Sequence, residues 1–250
     1  MRIGLFVPCY IDQFYPRVAI ATLELLEKLG ATVDYPPGQT CCGQPMANAG
    51  CKGDAMGAAR LFVRNFSEYD YIVAPSGSCV LHVRDHLHGL PQEAEAARRV
   101  RENTFELCEF LHKVLQVEAL DSHFPHRVGL HLSCHGQRGL RLAQASEIMG
   151  PDYSIQRDLL TMVGGLQLVE LDRRDECCGF GGTFAVSEEA VSMRMGKDRI
   201  DDHLRQGAEV ITAGDMSCLM HLEGILRRQG RTTPVLHIAE ILNGWSAQKQ

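Results

Sequence analysis

Ten cysteines stand in this 250-residue chain, and eight of them fall into two matching sets. The first set is Cys9, Cys41, Cys42 and Cys79; the second is Cys134, Cys177, Cys178 and Cys218. In each set a lone cysteine is followed by a Cys-Cys-Gly triplet and then by a Ser-Cys-x-x-His string, Ser78 to His82 and Ser217 to His221. Four thiolates gathered from separate points of a chain can hold an iron–sulfur cluster, a zinc ion in an all-sulfur tetrahedron, or two disulfides. Disulfides are disfavoured in a chain without a secretion signal, and neighbours such as Cys41 and Cys42 do not readily bond to each other within ordinary disulfide geometry. Structural zinc usually draws on closely spaced cysteine knuckles, which this chain lacks, although scattered thiolates can still form a tetrahedron. Adjacent thiolates suit a multi-iron cluster best. Consecutive cysteines can reach different iron atoms, while Gly43 and Gly179 permit close backbone approach and the next helix turns its N–H groups toward the charge. The expected cofactor is an iron–sulfur cluster, a [4Fe–4S] centre in each half, with zinc in one or both sites as the alternative.

The two sets belong to an internal duplication. Residues 2–9, R-I-G-L-F-V-P-C, return at 127–134 as R-V-G-L-H-L-S-C. Each half closes on a similar string, T-F-E-L-C-E-F-L from 104 and V-L-H-I-A-E-I-L from 235, which reads as a helix. Cys108 falls opposite Ala239 in these strings and Cys51 has no counterpart, so both read as ordinary small hydrophobes.

The elements that must position the thiols follow from hydrophobic periodicity. Short apolar or β-branched runs at 3–7, 33–35, 72–74, 128–132, 168–171 and 210–212 predict strands. Val18, Thr22, Leu25, Leu26 and Leu29 recur at helical spacing and stop at Gly30; a second helix is expected from a Ser187 cap to Gly207. Alternating strands and helices predict an α/β fold of two tandem Rossmann-like units, 1–124 and 125–250, with parallel sheets flanked by helices around a pseudo-twofold. The cysteines then follow the strand ends and gather at the edge where such sheets bind ligands. Residues 93–102, with Glu95 and Arg98 or Arg99 at helical spacing, predict a solvated helix bridging the halves.

Composition excludes several functions. A net charge of −6, with 25 basic residues scattered among 31 acidic ones, makes nucleic acid an unlikely partner. No apolar run reaches the ~18 residues of a membrane span, and the N-terminal residues lack a signal-peptide pattern, so a cytoplasmic protein is expected. His82 and His221 follow candidate ligands at helical spacing and are candidate ligands or supports for them; His135 adjoins Cys134, and His123 and His126 are expected in solvent. The G-F-G-G string at 179–182 lacks dinucleotide-loop spacing and reads as a tight turn beside the thiols.

At L-L-E-K-L-G (25–30), C-C-G-Q-P (41–45), P-S-G-S-C (75–79), C-C-G-F-G-G-T-F (177–184) and H-I-A-E-I-L (237–242), the chain resembles the cysteine-rich family marked by paired Cys-Cys-Gly motifs. That family includes the cysteine-rich component of heterodisulfide reductase and the glycolate oxidase iron–sulfur subunit, and the likeness is strongest to its lactate-utilising members. The resemblance implies an electron-transfer subunit of an NAD-independent system oxidising L-lactate to pyruvate. Its companions would be a larger ferredoxin-like iron–sulfur subunit and a third subunit. In the heterodisulfide reductase component each motif ends in C-x-x-C and five cysteines hold a noncubane cluster; here Ser76 and Asp215 replace the first cysteine of those pairs, leaving four thiols per half. Ser76, Asp215, Gly43, Gly179, His82 and His221 are the remaining candidates for contact with the cofactor. Two other functions stay open: a heterodisulfide-reductase-like thiol protein and a zinc-stabilised assembly protein.

Overall fold

A computed structural model describes residues 1–87 and 90–244; residues 245–250, the end of the second expected unit, lie outside the described residues. Eight strands run through it: β1 (Arg2–Leu5), β2 (Thr32–Asp34), β3 (Tyr71–Ala74), β4 (Thr104–Glu106), β5 (Arg127–His131), β6 (Gln167–Leu168), β7 (Val210–Ala213) and β8 (Val235–His237). They form two sheets of identical order, β2-β1-β3-β4 and β6-β5-β7-β8, with every pair parallel. The α/β expectation holds, and the shared strand order is the duplication seen in space.

Parallel neighbours need crossovers, and helices supply them. The helices of the first half are α1 (Cys9–Phe14), α2 (Pro16–Lys28), α3 (Gln44–Asn48), α4 (Lys52–Phe66), α5 (Gly77–His86), α6 (Ala94–Glu102) and, after its last strand, α7 (Leu107–Glu109). In the second they are α8 (Ile155–Thr161), α9 (Phe184–Ser187), α10 (Glu189–Arg205), α11 (Met216–Arg228) and α12 (Ile238–Leu242). Gly30 and Gly207, at φ +83° and +76°, lie just beyond α2 and α10 in the left-handed conformation that favours glycine.

Several expectations need correction. The closing strings begin as strands β4 and β8 before turning helical. Glu106 and His237 are extended, and their side chains accept the Glu109 and Ala239 N–H groups at 3.1 Å, so strand passes to helix within one residue. The helix at 94–102 does not bridge the halves. It buries Ala97 and Val100 and packs on α4 and α5 as the crossover into β4, with Arg98 paired to Glu95 and Glu102 on its wet face. Ser187 is not a cap: the glycine turn delivers the chain into α9 a turn early, Ser187 ends that helix, and α10 starts without a side-chain cap. The run at 168–171 pairs only through β6 and the Val169 N–H. The chain then turns away, and the Asp172 and Arg173 N–H groups donate to the Asp202 carboxylate at 3.2 and 3.1 Å. Cys108 is fully buried as expected, but Cys51 is exposed at the start of α4, so it is no buried hydrophobe.

The core crosses from one half to the other. Leu5, Val7 and Ile11 pack with Ile211, Leu219 and Leu222, while Phe6, Leu26 and Phe62 belong to the same core as Val128, Leu159 and Ile238. Helix α2 lies on α12 and α7 on α8, a reciprocal exchange, and Asn243 is bonded by Lys28 at 2.6 Å and to Glu24 at 2.6 Å. At the centre Ser76 and Asp215, equivalent residues of the repeat, form an antiparallel bridge. The Gly77 N–H donates to the Gly214 carbonyl at 3.3 Å. Antiparallel pairing of equivalent residues is the arrangement a twofold axis passing between them generates.

Candidate metal centre

The cysteines follow the carboxyl ends of the strands, the edge where open α/β sheets bind ligands. Cys9 starts α1 directly after β1, Cys41 and Cys42 lie in the loop after β2, and Cys79 sits in the first turn of α5. Cys134, Cys177 and Cys178, and Cys218 at the start of α11, hold the same places in the second half. Short loops after strands whose register is fixed by the sheet thus converge from three directions.

In the first half the Cys9 thiol donates to Cys41 Sγ at 3.8 Å, and Cys41 with Cys42, and Cys42 with Cys79, lie close enough to interact. The second half repeats the chain of contacts as Cys134, Cys177, Cys178 and Cys218. Cys42 and Cys178 are each 2% exposed, whereas the lone cysteines and the first of each pair reach the surface. The arrangement concentrates negative charge on one sulfur of each set. Bonding from Cys42 and then Cys9, with the Gly43 N–H at 3.4 Å, pulls Cys41 far below the usual thiol range. Cys134 and then Cys178, with the Gly179 N–H at 3.3 Å, do the same to Cys177. Cys9, Cys42, Cys134 and Cys178 are pushed up, first of all by bonding to those same sulfurs.

The two glycines turn the chain away from each cysteine pair. Gly43 and Gly179 lie at φ +93° and +87°, a left-handed conformation that other residues rarely adopt. Their surroundings differ: a Cβ on Gly43 would meet nothing nearer than 3.5 Å, but on Gly179 it would lie 2.6 Å from the Ser192 carbonyl oxygen and 2.8 Å from Met195 Cβ. Gly43→Ala is expected to cost about 1–2 kcal/mol of left-handed strain. Gly179→Ala should add about 1–3 kcal/mol of overpacking, and urea denaturation of the two variants measures the difference.

Ser76 and Asp215 cap the helices that carry the last cysteine of each set. Ser76 Oγ accepts the Cys79 N–H at 3.4 Å. Asp215 Oδ1 accepts the Ser217 N–H at 3.1 Å and the Ser217 hydroxyl at 2.6 Å, and Oδ2 accepts the Ser78 N–H of the other half at 2.7 Å. His82, buried with its ring tilted against His86 at 5.0 Å between centroids, bonds to the Cys42 backbone; burial and then His86 push it down to about 4. His221 Nε2 lies 3.4 Å from the Ser192 carbonyl, and Ser192 Oγ donates to the Gly179 carbonyl at 2.8 Å. Both histidines therefore brace a Cys-Cys-Gly loop. His135 Nδ1 is 3.6 Å from Cys134 Sγ, and His123 and His126 are exposed.

Sequence reasoning missed His131. This fully buried ring, at the end of β5, has a nitrogen within 4.8 Å of the Cys178 and Cys218 sulfurs. Neither of its nitrogens has a hydrogen-bond partner among the described residues. Burial, then Arg199, holds it down at about 3, in the neutral form that ligates metals. The signal was present in the repeat, where His131 stands opposite Phe6. Four converging thiols and an orphaned imidazole are a donor set that fits a soft metal ion or an iron–sulfur cluster.

The model of the cysteine-rich domain designated CCG matches residues 3–84 and 128–223, one segment in each half. The chain belongs to this cysteine-rich CCG family. The CCG protein is 41% identical over 246 residues to "Lactate utilization protein A" of Geobacillus thermodenitrificans, covering 97% of this chain and 99% of that one. It is 39% identical, with the same coverage, to the protein of that name from Bacillus subtilis. Among solved structures, a hypothetical protein from Helicobacter pylori superposes with a TM-score of 0.59 at 13% identity, over 99% of the CCG protein. The CCG protein spans 50% of that chain, and the likeness concerns the fold. None of its described helices is long and apolar enough to cross a membrane.

Proposed function

We propose that the protein is an iron–sulfur electron-transfer subunit of a cytoplasmic system that oxidises L-lactate to pyruvate, built from cysteine-rich units at 1–124 and 125–250. The observation that carries the reading is the doubled set of four thiols, each next to another of its set, at the same place in two equivalent sheets. The word lactate rests on relatives about 40% identical along nearly their whole length.

Oxidation of lactate to pyruvate releases two electrons and two protons. Companion proteins, a ferredoxin-like iron–sulfur subunit and a third subunit, complete the system in this reading, and the present chain relays electrons. Cys9, Cys41, Cys42 and Cys79 would hold one cluster, and Cys134, Cys177, Cys178 and Cys218 the other. Bound clusters supply electron storage at a potential set by net charge, solvent access and hydrogen bonds to sulfur. The chain supplies those settings: Gly43 and Gly179 donate N–H groups to sulfur, and Cys42 and Cys178 are shut away from water. Cys9 and Cys134 stay part-exposed, where a partner's redox centre can approach.

Anaerobic purification followed by iron, sulfide and zinc analysis and electron paramagnetic resonance tests the reading. The expected result is two iron–sulfur clusters per chain. Stoichiometric zinc with no visible absorption band would overturn it in favour of an assembly protein. Heterodisulfide turnover by the isolated chain would favour a thiol-exchanging protein.

A further inference from the structure

The duplicated halves differ behind their thiols. In the first, Phe6, Phe62 and Phe66 form an apolar triad, with ring centroids 4.8 Å apart for Phe6 and Phe62, 5.8 Å for Phe6 and Phe66, and 4.6 Å for Phe62 and Phe66. The repeat sets His131 opposite Phe6. The helix that packs behind each strand supplies the other two members. The side-chain face of Gly4 abuts Phe66 and Tyr69, and that of Gly129 abuts His203 and Ala208, so His203 corresponds to Phe66. One helical turn earlier, Arg199 corresponds to Phe62. Where the first half has three phenylalanines, the second has His131, Arg199 and His203, each 0% exposed.

Such a substitution is costly unless something binds it. Arg199 is bonded to the Arg173 carbonyl and to Asp202, but His131 and His203 leave all four ring nitrogens buried without partners among the described residues. Each unmatched buried polar atom costs about 1–3 kcal/mol, and an all-phenylalanine version of the same packing exists in the other half. The His131 ring points at the thiols, within 4.8 Å of Cys178 and Cys218 sulfur, whereas His203 lies behind it at 6.5 Å between centroids.

We propose that His131 is a nitrogen ligand of the second centre, which therefore has five protein donors where the first has four. The proposal rests on the iron–sulfur reading above. A neutral imidazole added to four thiolates leaves the ligand charge unchanged but alters the donor set, so the two centres differ in potential.

The full chain, prepared with and without [15N]histidine, reconstituted anaerobically with ferrous iron and sulfide and then reduced, is examined by pulsed electron paramagnetic resonance. One centre is expected to show a histidine nitrogen coupling that changes with the label and is lost in His131→Phe. In a redox titration that variant shifts one midpoint and leaves the other unchanged. Both centres loaded with no label-dependent coupling overturn the proposal while leaving the cluster reading intact. If His131→Phe does not fold, His82→Gln, His135→Gln and His221→Gln assign the coupling by elimination; its loss in any of them overturns the proposal. If the chain takes zinc instead, the cluster reading fails separately. Cobalt substitution then decides, and a second-site spectrum unchanged between wild type and His131→Phe counts against His131.

Discussion

Replacing Cys178 by serine is expected to empty the second centre and leave the first loaded, halving iron and acid-labile sulfide to about one cluster per chain. Cys178 is the inner sulfur of its set, 2% exposed and beside both Cys177 and Cys218. A serine hydroxyl fits the space but is a hard, weakly acidic donor that cannot replace a thiolate ligand. The two sets share no thiol contact, so the loss stays local, and Cys42→Ser should empty the first centre in the same way. Cys51→Ser, at an exposed position outside both sets, should leave iron unchanged. Unchanged iron in Cys178→Ser would refute the ligand assignment for the second half.

The second large effect concerns Asp215. Its carboxylate is 1% exposed and accepts three hydrogen bonds, two from its own helix and one from the Ser78 N–H across the pseudo-twofold. Asp215→Ala removes one cap and strands N–H donors at the start of α11 and α5 together. A lost cap costs about 1 kcal/mol and each stranded buried donor about 1–3 kcal/mol, so a loss of about 3 kcal/mol is expected after the relieved desolvation of the carboxylate is counted. Ser76→Ala, which gives up one backbone bond at 3.4 Å, should cost about 1 kcal/mol. Urea unfolding of both variants compares them. Equal losses would mean that the bond across the axis contributes nothing.

The duplication and the order of strands and helices were legible because thiol spacing and apolar periodicity are properties of the chain itself. Strands β4 and β8 were not: each has three residues and runs straight into a helix whose apolar spacing dominates the string. Only the capping by Glu106 and His237 separates the two conformations, and neither residue type announces a cap. The role of residues 94–102 was misread because a charged helix surface does not reveal which half its Ala97 and Val100 face meets. His131 was hidden for a related reason. One histidine in an apolar strand looks like an ordinary core residue until Cys178 and Cys218 arrive beside it from positions far along the chain.

The bridge between Ser76 and Asp215 bears on how such a molecule arose. A protein with one copy of the repeat could assemble the same body as a homodimer, meeting its twin through that contact, since a self-complementary patch is what a symmetric pair requires. In a homodimer every substitution strikes both pockets at once, so phenylalanine and histidine could never face the two sulfur nests separately. Gene fusion removes that constraint, and the contrast between Phe6 and His131 is a difference only a fused descendant can encode.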